Sequence, residues 1–217
     1  HCSYWKPAGN SCGGCGAGRF IRTGPGIQKV EEILAGQLPD TRVLRMDADT
    51  TRGASSHRRI LDRFRRGEAD VLLGTQMVAK GHDFPNVTLV GVIAADMGLT
   101  LPDFRSAERV FSLLLQAAGR AGRGASPGEV LIQTACPEAP AIVAAAAHDY
   151  SGFAAEELQI RQTLAYPPFT RMARLLFQGP DESRVEKAAT TVGEALRREE
   201  AAAVRGPCPA ALPRIGG

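Results

Sequence analysis

No run in this sequence approaches the roughly 20 consecutive apolar residues that a bilayer-spanning helix needs, although 44% of its 217 residues are hydrophobic. Nor is there a charged start followed by an apolar core and a small-residue cleavage site, the mark of export. Together these absences give the expectation of a cytoplasmic protein with no membrane partner. A strong excess of one charge is also missing: 26 basic against 23 acidic residues leave +3, with a pI near 8.7. Such a balance neither announces nor excludes a nucleic-acid partner. Five cysteines are present, Cys2, Cys12, Cys15, Cys136 and Cys208. An odd number in a cytosolic composition argues against a disulfide framework. Finally, the G-x-x-x-x-G-K-[ST] phosphate loop and the acidic strand end that holds Mg²⁺ are both lacking. On its own, this chain is expected to be unable to hydrolyse ATP.

Residues 2 to 16 are short of apolar side chains and rich in Gly, Pro and Cys, so order there must come from something other than a core. A metal would serve. Cys12-Gly-Gly-Cys15 offers two thiolates from one tight knuckle, and a tetrahedral structural Zn²⁺ needs two such pairs, of which Cys2 is half of the second. Unpaired structural thiols are the other reading of the three cysteines. His1 as a substitute ligand is sterically awkward beside Cys2. Cys136 and Cys208 stand alone and read as ordinary small residues.

From about Arg19 short apolar runs alternate with helical patterns, which implies strand–helix–strand units and a parallel α/β sheet. Helices are expected at 26–37, where Val30, Ile33, Leu34 and Leu38 recur at helical spacing, and at 56–66, through Ile60, Leu61 and Phe64. Strands are expected at Arg42–Met46, Asp70–Leu73, Thr88–Ile93 and Glu129–Gln133. A further helix starts near Asp103, a candidate N-cap, and runs through Ala107, Val110, Phe111 and Leu114. The chain thus divides into a partial zinc-binding segment (1–18), an α/β lobe (19–136), a helical connector (137–168) and the start of a small α+β domain (169–217). Within the last, 171–178 alternates like a strand and 181–200 reads as a charged helix. The opening at His1 and the Pro/Gly-rich end give the expectation of a piece of a longer chain. Arg58, Arg59, Arg63, Arg65 and Arg66 cluster on the second helix, where a solvated face is the plain reading.

The strongest local signal is Gln116-Ala-Ala-Gly119-Arg120-Ala-Gly122-Arg123-Gly124. Glycine lets a backbone come close, and each guanidinium offers phosphate a planar fork of donors. A second segment, Gly74-Thr75-Gln76-Met77-Val78-Ala79-Lys80-Gly81-His82-Asp83-Phe84-Pro85, follows an expected strand. A third, Arg45-Met-Asp47-Ala-Asp49-Thr-Thr51, lies between a strand and the arginine-rich helix.

These strings resemble motifs VI, V and IV of superfamily-2 helicases. Together with Leu101-Pro-Asp-Phe-Arg-Ser-Ala-Glu-Arg109, Pro137-Glu138 and Tyr166-Pro-Pro-Phe169, they are similar to the PriA family of replication-restart helicases over nearly the whole chain. The resemblance implies a RecA-like second helicase lobe. It implies Arg120 and Arg123 as arginine fingers, and Gln116, Gly81, Asp83 and Gly119 as nucleotide-binding residues. By the same resemblance Thr75, Gln76, Lys80 and Asp49 would meet DNA, and Cys2, Cys12 and Cys15 would hold zinc with an upstream cysteine. The implied activity is an ATP- and Mg²⁺-dependent 3′→5′ helicase in primosome assembly and fork restart, associated with the nucleoid. Implied partners are forked or single-stranded DNA, primosome proteins and single-stranded-DNA-binding protein.

Two departures stand out. The family's Leu-Asp-Ala-Asp is Ile93-Ala94-Ala95-Asp96 here, and its G-x-G-T-[EQ] is Gly24-Pro-Gly26-Ile27-Gln28. Neither touches motif V or VI. By the same resemblance, each lost polar group is expected to weaken a contact in the interlobe cleft or on the DNA path. The alternative function, which the resemblance implies through relatives that have lost the nucleotide motifs of the first lobe, is a fork-binding, primosome-recruiting module that does not hydrolyse ATP.

Overall fold

A computed structural model describes residues 26–47, 56–75, 84–121, 127–199 and 203–209. Its chain divides into two compact units, one spanning Ile21–Thr170 and the other containing Arg171–Gly217.

In the first unit the alternation read from the sequence becomes α1 (Ile27–Gln37), β1 (Val43–Met46), α2 (Ser56–Arg65), β2 (Val71–Gly74) and β3 (Leu89–Val92). A 3-10 helix (Ala95–Thr100), α3 (Ser106–Ala118), β4 (Glu129–Ile132), α4 (Pro140–Ala146) and α5 (Tyr150–Thr163) follow. The expected parallel α/β character holds. Among the described residues the four strands form two parallel pairs, β1 with β2 and β3 with β4. Val43 faces Val71 in the first pair and Leu89 faces Glu129 in the second.

The register of the first pair is fixed before its strands begin. Arg42 and Asp70 precede β1 and β2, and the Arg42 guanidinium donates two bonds to the Asp70 carboxylate, at 3.0 and 2.7 Å. The Arg42 amide donates a third at 2.9 Å, while the Asp70 amide donates back to the Arg42 carbonyl. A planar fork on a carboxylate admits one alignment of the two strands.

Two cores hold this unit. Met46, Leu61 and Phe84 are buried together, with Phe64 edge-on to Phe84 at 5.3 Å between ring centroids. The larger core surrounds α3. Its inward residues Val110, Phe111, Leu114 and Ala117 recur at helical spacing. Of these, Val110, Phe111 and Leu114 meet Ala95, Ala141, Ile142, Ala145 and Phe153, and the Phe111 and Phe153 rings stack at 4.2 Å. The segment read as a connector thus shares the core of α3 through α4 and α5. Gly98 allows the 3-10 helix to lie against α3, because a Cβ there would stand 2.5 Å from Val110 Cγ2.

Two expectations need correction. Asp103 is not the N-cap of α3; Arg105 is. The Asp103 carboxylate instead accepts the Arg105 amide at 3.0 Å and pairs with Arg109 at 2.8 Å, closing a turn two residues before the cap. In the second unit, 171–178 is not a strand. Its alternation is real, but a strand exists only where another segment takes its ladder of amides and carbonyls, and none of the described residues does so. The expected helix is there as α6 (Glu182–Arg198), capped by the Asp181 side chain on the Arg184 amide.

The Arg42 fork has a consequence in solution. Hydrogen bonds from the Arg42 side chain and then its amide lower the Asp70 pKa from 3.8 to about 2. A depressed carboxylate contributes stability that is complete above its unfolded pKa and is lost as the pH falls through the folded one. For Asp70 that window runs from about 4 down to about 2. Carbon-detected NMR titration should give an Asp70 midpoint near 2 in the wild type and a clearly higher one in Arg42→Gln, which keeps the backbone bond but loses the fork. A wild-type midpoint near 4 would show that the fork does not form.

Candidate functional site

The motif residues are placed by helix and strand ends. Gln116 lies in the last turn of α3, Gly119 is its C-cap, and the Arg120 amide donates to the Ala117 carbonyl at 3.0 Å. Gln116 is thus helical, whereas Gly119 and Arg120 lie at the cap and just beyond the helix end. Gln116 and Gly119 are exposed and Arg120 is half-buried. The Gln116 amide group makes no side-chain hydrogen bond to the described residues. Gly119 has φ −67°, ordinary for any residue, and a Cβ there would meet nothing closer than the Leu115 carbonyl at 3.4 Å. The local fold therefore tolerates a side chain at this glycine, which leaves an open backbone as the effect of its absence. Arg123 lies outside the described residues.

The second segment leaves from the carboxyl end of β2. Gly74 is the last strand residue, opposite Met46, and the exposed Thr75 follows it. Beyond it Gln76, Lys80, Gly81 and Asp83 fall outside the described residues, and the chain returns at Phe84, buried beneath Arg65, whose guanidinium carbon is 5.7 Å from the ring centroid. β1 ends at the same edge of its pair. Asp47 follows it, buried, with a carboxylate oxygen 3.1 Å from Arg45 Nε. Arg45 also reaches Glu31 on α1 at 2.6 Å. Asp49 lies outside the described residues. So do Cys2, Cys12 and Cys15. Among the described residues no group of three potential ligands could hold a metal, and Cys136 and Cys208 are free, exposed thiols.

Sequence reasoning missed a polar network at the carboxyl ends of β3 and β4. The Ala94 amide donates to Gln133 Oε1 at 2.6 Å, and the Ala135 amide to Asp96 Oδ1 at 3.0 Å. The Ala135 amide, followed by Asp96's own amide and the Thr134 hydroxyl, holds the Asp96 carboxyl below its ordinary pKa. Ala94 itself adopts φ 52°, ψ 50°, a left-handed conformation that Asp, Asn or Gly takes more readily than Ala. The signal was the departure Ile93-Ala94-Ala95-Asp96, which marked the place without its geometry. Also unforeseen was the pairing on α2. Arg63 and Arg66 share Glu68, and Arg65 meets Asp62. Arg58 and Arg59 are exposed and form no ion pair among the described residues.

No helix among the described residues is long and apolar enough to cross a membrane. The chain matches the family described as helicase conserved C-terminal domain over residues 17–125, and that described as primosomal protein N C-terminal domain over residues 162–217. It is similar to the Replication restart protein PriA of a Synechocystis species, 44% identical over 217 residues, which cover 99% of this chain and 26% of that protein. Similarity to the protein of the same name from Bacillus subtilis is 46% over 191 residues, 88% of this chain and 23% of the relative. For the Haemophilus influenzae protein it is 36% over 219 residues, 100% and 30%. The chain thus spans about a quarter of the length of these curated relatives. It belongs to the PriA family of replication restart proteins, of which it carries the helicase C-terminal domain.

Proposed function

We propose that this chain is the second motor lobe of an ATP-driven 3′→5′ DNA helicase that assembles primosomes at stalled replication forks. The observation that carries the reading is the end of α3. There exposed Gln116 in the last turn, Gly119 at the cap and half-buried Arg120 just beyond it follow within five residues, with a glycine that the backbone itself does not require. An open backbone next to Arg120, with Arg123 following in the sequence, suits a triphosphate that comes close.

ATP with Mg²⁺ sits between this lobe and a first lobe that supplies the phosphate loop. As the γ-phosphoryl group passes to water, negative charge spreads over its equatorial oxygens, and Arg120 and Arg123 stabilise that charge. Gln116, Gly119, Gly81 and Asp83 hold the nucleotide, Asp83 at its ribose. Thr75, Gln76, Lys80 and Asp49 grip the DNA backbone at the carboxyl edge of the first strand pair, where loops of parallel sheets bind ligands. Hydrolysis releases the lobes and shifts that grip along the strand. The DNA is forked or single-stranded, the protein partners are primosome proteins and single-stranded-DNA-binding protein, and the setting is the cytoplasmic nucleoid.

Zn²⁺ is held by Cys2, Cys12, Cys15 and one cysteine upstream. The spacing of Cys12 and Cys15 and the scarcity of apolar residues around them support this reading. Elemental analysis of the longer polypeptide should find one zinc fewer after Cys12→Ala. Unchanged zinc content removes these thiols from the site.

The arginine assignment is tested by steady-state ATP turnover with saturating forked DNA, beside a DNA-binding titration at matched salt. Arg123→Ala in the polypeptide that carries both lobes should lower turnover by roughly 10³-fold or more, the low end of what arginine fingers contribute, with DNA affinity nearly unchanged. Arg123→Lys should recover little, since a point charge lacks the planar fork. A mutant that keeps its rate and loses DNA assigns the arginine to the DNA path. A wild type that binds forks without turnover favours the recruiting module instead.

A further inference from the structure

A hollow of about 180 Å³ opens among the 3-10 helix, α3, α4 and α5. Its apolar lining includes Leu99, Ala107, Phe153 and Ile160, and it carries two acids, Glu156 and Glu157. An apolar cavity of about 150 Å³ is enough to take up benzene, so this one has room for an aromatic ring or a large aliphatic side chain. The two acids differ in kind. Glu157 is committed to Arg161, whose Nε lies 2.9 Å away, while Arg161 also reaches Glu108 at 2.7 Å. Glu156 is exposed and has no ion pair among the described residues. Glu138, exposed as well, stands one residue before Ala139, which also lines the hollow, and no basic residue lines it. Ile160 remains 46% exposed at this site.

We infer that this hollow is a docking site for a partner protein segment that presents a large apolar side chain, aromatic or aliphatic, flanked by lysine or arginine. A ring-sized apolar pocket accepts the kind of anchor that dominates binding energy in protein interfaces. The uncompensated carboxylates around it select the charge of what flanks that anchor, since a basic neighbour gains an ion pair and an acidic one meets repulsion. The site is separate from the proposed nucleotide face. Ala107 and Arg120 are 13 positions apart along α3 and its last turn, about 20 Å at 1.5 Å per residue. Docking here therefore does not depend on whether the arginines serve ATP.

The test is methyl NMR on the full 217-residue chain, titrated with the blocked peptide Ala-Lys-Phe-Lys-Ala. Saturable shifts are expected at the Leu99 and Ile160 methyls. Replacing the peptide's Phe by Ala should abolish them, and replacing both Lys by Glu should weaken binding at least fivefold. Glu156→Gln, a change at an exposed position, should lower affinity for the lysine peptide while leaving the glutamate peptide no worse. Absent shifts overturn the proposal, as do equal affinities for the two peptides. Shifts at these methyls that grow with protein concentration alone also overturn it, since they make a second copy of the chain the occupant.

Discussion

Parallel pairing of strands is the constraint on which the rest of the first unit depends. A parallel partner cannot be reached by a tight turn; it needs a crossover of a dozen residues or more. The chain supplies α2 between β1 and β2, and the 3-10 helix with α3 between β3 and β4. Both strands of each pair then end at the same edge, and the connections leaving the carboxyl edge of the first pair are rich in motif residues. Asp47 and Asp49 follow β1 and Thr75 to Asp83 follow β2, whereas Gln116 to Arg123 end α3 and lead toward the start of β4. The strands themselves contribute little chemistry. They set where the chemistry-bearing loops begin.

The two edges of the first pair are held differently. At the amino edge Arg42 and Asp70 lock the strands with a two-pronged bond and reciprocal backbone bonds. At the carboxyl edge Asp47 is buried against Arg45, and the neighbouring Thr75 is left open. The same economy of position shapes α3. Its middle is committed to the larger core through Phe111 and Leu114, while its far end leaves Gln116 and Gly119 at the surface. The last turn thus exposes Gln116 while Ala117, beside it, stays buried.

Much of this was legible in the residues. The short β-branched and leucine runs gave the four strands to within a residue or two, because a strand covered by helices has little alternative composition. Helical spacing gave α1, α2 and α3 for a related reason, and charge marked α6. What failed depended on partners distant in sequence. The alternation at 171–178 says which side chains would share a face, yet nothing local supplies the pairing segment. Asp103 has the chemistry of an N-cap, but Arg105 occupies the cap and Asp103 closes the turn before it. For the candidate site, the spacing of glutamine, glycine and arginine pointed to the arginine-glycine run, and the structure sets Gln116, Gly119 and Arg120 in and just after the last turn of α3. The Gln133 and Asp96 network could not be read in advance. It joins groups 39 positions apart whose meeting is set by the register of β3 on β4.

The central claim is that the end of α3 faces the γ-phosphate of a nucleotide held by another lobe. A structure of the polypeptide carrying both lobes, bound to single-stranded DNA and a non-hydrolysable ATP analogue, addresses it directly. The account places the guanidinium groups of Arg120 and Arg123 on γ-phosphate oxygens at about 2.7–2.9 Å, the range of charge-assisted bonds. Arginines seated instead on DNA phosphates, with the nucleotide cleft closed by other residues, would contradict it.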